Sequence, residues 1–184
     1  MDWSVDVGDA RNTPLRDGSA AAVITSPPYL NFVDYTKVYA LELSLLLSST
    51  KEFEELRRKS IRSHIGAEYS EEKTPKLESA LSRVTRKTRD DKIPPIVEGY
   101  LGDLYMALDE TERILEPGAA AVYVVGNATL PGVSVDVDLI LAEMAEQIGF
   151  TAEDIWVGNV RWAGIHGIEK ERPMRESAVI LRKP

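Results

Sequence analysis

The chain of 184 residues contains no cysteine. Disulfide scaffolds, thiolate metal centres and cysteine nucleophiles are therefore excluded from the start. It has only two histidines, His64 and His166, far apart in unrelated surroundings, so a histidine-based metal site is not expected. No apolar run approaches the roughly 18 to 20 residues that span a bilayer, and Asp2, Asp6 and Asp9 crowd the beginning. The expectation is a cytoplasmic protein with no membrane segment. Net positive charge is missing as well: the formal balance is -8, which argues against simple electrostatic nucleic-acid binding. Twelve glycines are scattered along the chain, and no strand is followed by a Gly-x-Gly turn opening a helix.

Hydrophobic residues make up 43% of the chain, enough for one domain with a substantial core. Alternation predicts a short strand over Trp3–Val7, and the apolar run Ala20–Thr25 predicts a second. Tyr35–Ser48 reads as a helix whose Leu41, Leu43, Leu45, Leu46 and Leu47 stripe is expected in the core. A further helix is expected over Ile96–Leu115, stopping at Glu116-Pro117-Gly118, then a buried strand over Ala119–Gly126 with Asn127 at its carboxyl end. Asn127 there suits a pocket residue or a plain turn. A helix over Val135–Ile148 and strands over Ala152–Trp162 and Ser177–Arg182 follow, the last two joined by residues 163–176 as an antiparallel pair.

Charge is unevenly distributed. Between Lys51 and Lys92 fall Arg57, Arg58, Lys59, Arg62, Lys73, Lys76, Arg83, Arg86, Lys87 and Arg89, so this stretch is locally basic. It is interleaved with Glu52, Glu54, Glu55, Glu71 and Glu72, and both a nucleic-acid contact and a solvated helical insertion fit it. Ile93-Pro94-Pro95 is expected to end the insertion.

The most informative residues are Thr25-Ser26-Pro27-Pro28-Tyr29, directly after the second strand. Two prolines fix two φ angles and give up two N–H groups, so a rigid turn stands at a strand's carboxyl end, where open α/β sheets place ligands. Such a turn can aim the Ser26 hydroxyl and the Pro27 carbonyl at one point. Two acceptors there would hold both hydrogens of an amine and turn its lone pair toward an incoming methyl group. The ring of Tyr29 can stack on a base, which must leave its duplex to enter such a pocket.

From Gly8-Asp9-Ala10 through the apolar strand, the Ser-Pro-Pro-Tyr turn, Leu30-Asn31-Phe32-Val33-Asp34-Tyr35 and a Leu-rich helix, the chain resembles the amino-group DNA methyltransferases. The resemblance implies an α/β fold: a partial Rossmann-like, class I methyltransferase sheet from the catalytic-motif strand onward, with an antiparallel C-terminal strand pair and a helical insertion. It implies that residues 1–184 are the catalytic part of such a domain, with the insertion at about 50–95 as target-recognition region. Implied too are S-adenosylmethionine as methyl donor and double-stranded DNA as substrate, with cytosine N4 as target ahead of adenine N6. Ser26, Pro27, Pro28 and Tyr29 become the catalytic residues and Asp9 the contact to the adenine end of the cofactor. Asp34 and Tyr35 become candidate pocket or channel residues.

Two features of the family are missing. The acidic residue expected about five positions before the serine is replaced by Ala20-Ala21-Ala22, and the glycine-rich loop that cradles the cofactor is absent. In the family the strand carrying that loop lies beside the catalytic-motif strand. The expectation is therefore half of a split enzyme, or a truncated form, completed by strands from a second polypeptide. A non-catalytic remnant or regulatory subunit remains an alternative, as does a guanine-N2 RNA methyltransferase, although those place Asp before the Pro-Pro-Tyr.

Overall fold

The computed structural model describes residues 3–30, 35–47, 49–59, 93–130, 133–163 and 172–184. Its elements, in chain order, are β1 (Ala20–Thr25), α1 (Tyr35–Val38), α2 (Ala40–Leu46), α3 (Thr50–Lys59), α4 (Ile93–Ile114), β2 (Leu115–Gly126), β3 (Ala128–Leu130), β4 (Val133–Val135), α5 (Val137–Ile148), β5 (Thr151–Ala163) and β6 (Arg172–Arg182). Four strands form one mixed sheet in the order β1-β2-β6-β5, with β1 and β2 parallel and the other neighbours antiparallel. A small β3-β4 hairpin stands apart from it. The expected α/β class, the parallel start and the antiparallel C-terminal pair are all present.

Register divides the sheet into two unequal faces. Ala121, Tyr123, Val125, Ser177, Val179 and Leu181 alternate onto one face and are buried. The α4 residues Val97, Tyr100, Leu101, Leu104 and Leu108 and the α5 residues Val137, Leu141 and Met144 share the same core. Their three- and four-residue spacing is the apolar stripe of a helix lying on a sheet. Each such leucine stabilises the fold by about 1.5–3 kcal/mol relative to leaving it in water. The opposite face, running through Ile24, Val122, Val124, Ala178 and Ile180 to Trp156, is only half-buried to exposed. Ile24, on edge strand β1, is 80% exposed.

Several boundaries differ from expectation for physical reasons. Residues 3–8 form no strand, and Trp3, Val5 and Val7 are exposed. A strand needs a partner's hydrogen bonds, and β1 pairs only with β2 among the described residues. The helix expected over Tyr35–Ser48 breaks at Tyr39 into α1 and α2. Its leucine stripe is not core: α2 buries none of its residues, because α4 and α5 already fill the covered face of the sheet.

Helix α4 begins at Ile93, three residues before the expected Ile96, so Ile93-Pro94-Pro95 forms its first turn. Proline suits a first helical turn, whose N–H groups lack helical partners in any case. The helix ends at Ile114, within one residue of its expected stop, and β2 starts at Leu115; its pairing jumps from Ala20↔Leu115 to Ala22↔Ala120, so Glu116-Pro117-Gly118 bulges out of the strand. Gly118 takes φ 78°, a conformation that favours glycine. The β3-β4 hairpin delays α5 to Val137. Of the insertion at about 50–95, α3 is described, whereas residues 60–92, with His64 and most of the basic cluster, lie outside the described residues, as do Asp34 and His166.

The segment before β1 is strapped to α4. Arg11 pairs with the fully buried Asp103 at 3.0 Å, and the Thr13 backbone N–H and hydroxyl each donate to Glu110 at 2.7 Å. Arg113 binds Glu110, Asp17 and the Leu15 carbonyl. Arg113, with Thr13, holds the Glu110 carboxyl down at about 2. These clamps fix where β1 starts, and hence where its carboxyl end delivers the chain. Among the described residues no helix is long and apolar enough to cross a membrane.

Candidate active site

Parallel strands β1 and β2 end side by side, and the Thr25–Tyr29 turn leaves β1 at that shared carboxyl edge. The Ser26 side chain is exposed, and its hydroxyl donates to the Val124 carbonyl of β2 at 3.2 Å. A hydroxyl whose proton is given to a backbone carbonyl presents lone pairs to anything else that approaches. Pro27 and Leu30 are buried and anchor the turn on either side of Pro28 and Tyr29.

Tyr29 is fixed from two directions. Its ring lies against Gly126 so closely that a Cβ at that glycine would come within 2.7 Å of the ring, so only glycine leaves room for it. Its hydroxyl donates to Glu176 Oε1 at 2.6 Å. Glu176 sits opposite Gly126 on β2 and opposite Asn159 on β5, so register alone brings it to the tyrosine. Burial, then the Glu176 carboxylate, raises the Tyr29 phenol above its usual range, with Ser26 acting in the opposite sense. The phenol therefore stays neutral and keeps donating at neutral pH. Beneath, Tyr100 is fully buried, and its hydroxyl has no hydrogen-bond partner among the described residues. Burial first, then Tyr35 and Tyr29, pushes that phenol up as well.

A cleft of about 250 Å³ opens beside Tyr29, lined by Gly126, Asn127, Asn159, Arg161, Met174, Arg175 and Glu176. Arg175 is committed: it forms a two-pronged pair with Asp138, Nε to Oδ2 at 2.9 Å and Nη2 to Oδ1 at 3.0 Å. Asp138 is 1% exposed and also accepts from the Ser177 hydroxyl at 2.8 Å. Asn127 is structural at this point, accepting from the Asp138 backbone N–H at 3.2 Å and so capping α5, while its flank lines the cleft. The site is thus braced from behind by a buried ionic network.

Asp9 stands elsewhere. It lies in a turn bridged to Asn12, and its carboxylate is engaged by the Arg11 side chain at 2.8 and 2.9 Å and by the Arg11 backbone N–H at 2.9 Å. Those bonds hold its carboxyl below the usual aspartate range. It is not among the residues lining the cleft. The described residues do not by themselves fit S-adenosylmethionine: no glycine-rich cradle is present among them, and the one acidic candidate is already paired.

Ser26, Pro27, Pro28 and Tyr29 share one turn, and of the four only Tyr29 lines the cleft, where residues that sequence reasoning missed join it. Gly126, Glu176, Asn159 and Arg161 reach the cleft through strand register, and a single sequence holds no signal for that pairing. Tyr100 reads from sequence as one more core residue of a helical stripe.

No protein-family model matches the sequence. The chain is 31% identical over 185 residues to the type II methyltransferase M.AvaI of Nostoc sp., an alignment covering 88% of this chain and 38% of that protein. It is 29% identical over 197 residues to the type II methyltransferase M.BsoBI of Geobacillus stearothermophilus, covering 92% of this chain and 38% of that one. The chain therefore spans 38% of the length of the curated relatives it matches. Among solved structures, a candidate DNA modification methylase of Thermus thermophilus, TTHA0409, complexed with S-adenosyl-L-methionine, is similar at TM-score 0.49 and 19% identity, over 97% of this chain and 54% of that one.

Proposed function

We propose that this chain, which belongs to the DNA amino-methyltransferase family and is related to its type II members over 88% of its length, carries the amine-orienting part of a site-specific DNA methyltransferase. Its target is the exocyclic amino group of a flipped base, cytosine N4 first and adenine N6 as the alternative. S-adenosylmethionine is the methyl donor. The observation that carries this reading is the Ser26 hydroxyl at the shared carboxyl edge of β1 and β2, its proton engaged by Val124 and its lone pairs left to accept. Ser26 Oγ and the Pro27 carbonyl take the two amine hydrogens, Pro28 stiffens the turn, and Tyr29 offers its ring to the base. Asp9 meets the adenine end of the cofactor only if Arg11 yields. The insertion at about 50–95, beginning with α3 and its basic last turn, reads the target duplex.

The strands that carry the methyl donor come from outside the described sheet. Support for this lies in the exposed edge of β1, the half-open face through Ile24 and Trp156, and the exposed segment 3–8, which pairs with no strand among the described residues. A glycine-rich strand supplied from outside these residues, by a second polypeptide or by the remainder of a longer one, completes the cofactor site and covers that edge. Isothermal titration tests this. The chain alone is expected to bind no S-adenosylmethionine at micromolar concentration, and the enzyme completed with the glycine-rich segment is expected to bind it. A monodisperse chain that binds the cofactor at micromolar affinity unaided contradicts the split reading.

A further inference from the structure

Arg161 is the one cleft-lining cation that the described residues do not themselves use. The guanidinium of Arg175 is spent on Asp138, and Glu176, the carboxylate of the cleft, receives the Tyr29 hydroxyl. Arg161 projects from β5 beside them, exposed, its side chain making no hydrogen bond or ion pair to another described residue. Asn159, two residues earlier on the same strand, has a side chain likewise unbonded among the described residues and lines the same wall. The Tyr29 ring and Met174 line the cleft too, so it combines an apolar wall with a polar rim and one spare positive charge.

An exposed guanidinium with no partner among the described residues is free to meet an anion, and its planar fork matches the oxygens of a phosphodiester. We propose that Arg161, with Asn159 beside it, binds the backbone phosphate next to the nucleotide whose base stacks on Tyr29. This makes β5 a DNA-contacting strand distinct from the basic insertion, and it rests on the reading of the chain as a DNA methyltransferase. The base enters against the ring, and the phosphate stays at the rim, where the guanidinium is wet and able to let go of it.

The test measures the affinity of the full chain for a short fluorescein-labelled single-stranded oligonucleotide across a series of salt concentrations. For single strands each neutralised phosphate contributes about 0.7 to the slope of log affinity against log salt, so Arg161→Ala is expected to lower that slope by about 0.7 and weaken binding by roughly three- to tenfold. Arg161→Lys, which keeps the charge, should restore the slope. Arg182→Ala is the control: it removes one positive charge from a surface pair with Glu153 and is expected to leave the slope unchanged. Because Arg161 is exposed and its side chain is unpaired among the described residues, its loss should not disturb the circular dichroism spectrum. Wild-type chain that binds with a slope insensitive to Arg161→Ala overturns the phosphate site and leaves the DNA reading intact, as does an equal drop in Arg182→Ala. Failure of the wild-type chain to bind any oligonucleotide overturns the phosphate site, whereas the DNA reading is overturned only if the enzyme completed with the glycine-rich segment also fails to bind DNA.

Discussion

Ser26→Ala is expected to lower methyl transfer by the completed enzyme roughly 10²- to 10³-fold, the usual cost of removing one preorganised group that acts on developing charge. Folding and DNA affinity should stay near wild-type values. The hydroxyl is exposed, and its bond is to the carbonyl of Val124, so deletion costs about 1 kcal/mol or less of stability. The loss should therefore appear in kcat, with KM for DNA little altered, since in the proposed reading the interaction matters most while the amine is turned toward the methyl donor. Rates measured under single-turnover conditions separate this from slow product release. Unchanged methylation in the variant favours the alternative that the chain is a non-catalytic remnant.

The largest effect on stability is expected at Asp138, in the brace behind the cleft. Asp138→Ala removes a 1%-exposed carboxylate that holds Arg175, Ser177 and the first turn of α5 together. Breaking such a pair from one side costs about 3–5 kcal/mol, because the remaining partners lose their bonds without regaining full hydration. Arg175 is about one-third exposed and recovers some water, which places the expected loss at about 3 kcal/mol. For a chain of this size that lowers Tm by roughly 6–12 °C. Thermal unfolding followed by circular dichroism measures it, and a drop below about 1 kcal/mol contradicts the role given to the network. Asp138→Asn keeps the shape and one acceptor and should fall between.

What the sequence made legible was mostly local. Ala20–Thr25 is a strand at its expected limits because its signal, an apolar run cut off by Ser-Pro-Pro, needs no tertiary information. The buried strand around Ala121–Val125 was readable for the same reason, whereas the antiparallel ending was expected from the family resemblance. Trp3–Val7 and the leucine stripe of α2 went the other way. Both patterns are amphipathic or apolar enough to be buried, yet burial depends on a neighbour, and periodicity carries no information about whether one is there.

The same division runs through the site. Ser26 to Tyr29 stood out because consecutive prolines force a turn wherever they occur. Glu176 and Gly126, which hold Tyr29, are 147 and 97 residues away from it in sequence. They meet it only because β1, β2 and β6 lie side by side in one register. Asp138 is an acidic residue in the first turn of α5, and its burial beside Arg175 depends on α5 packing against β6, which no local pattern shows.

The amine-orienting role proposed for the turn after β1 would leave its record in the product. DNA methylated by the completed enzyme, digested to nucleosides and separated by liquid chromatography with mass spectrometry, reads that record directly. N4-methylcytosine is the expected nucleoside, present with wild-type chain and lost with Ser26→Ala. N6-methyladenine would keep the amine chemistry and change only the base. Methylation at a ring carbon, or no methylated nucleoside from an enzyme that binds both S-adenosylmethionine and DNA, would contradict the role given to this turn.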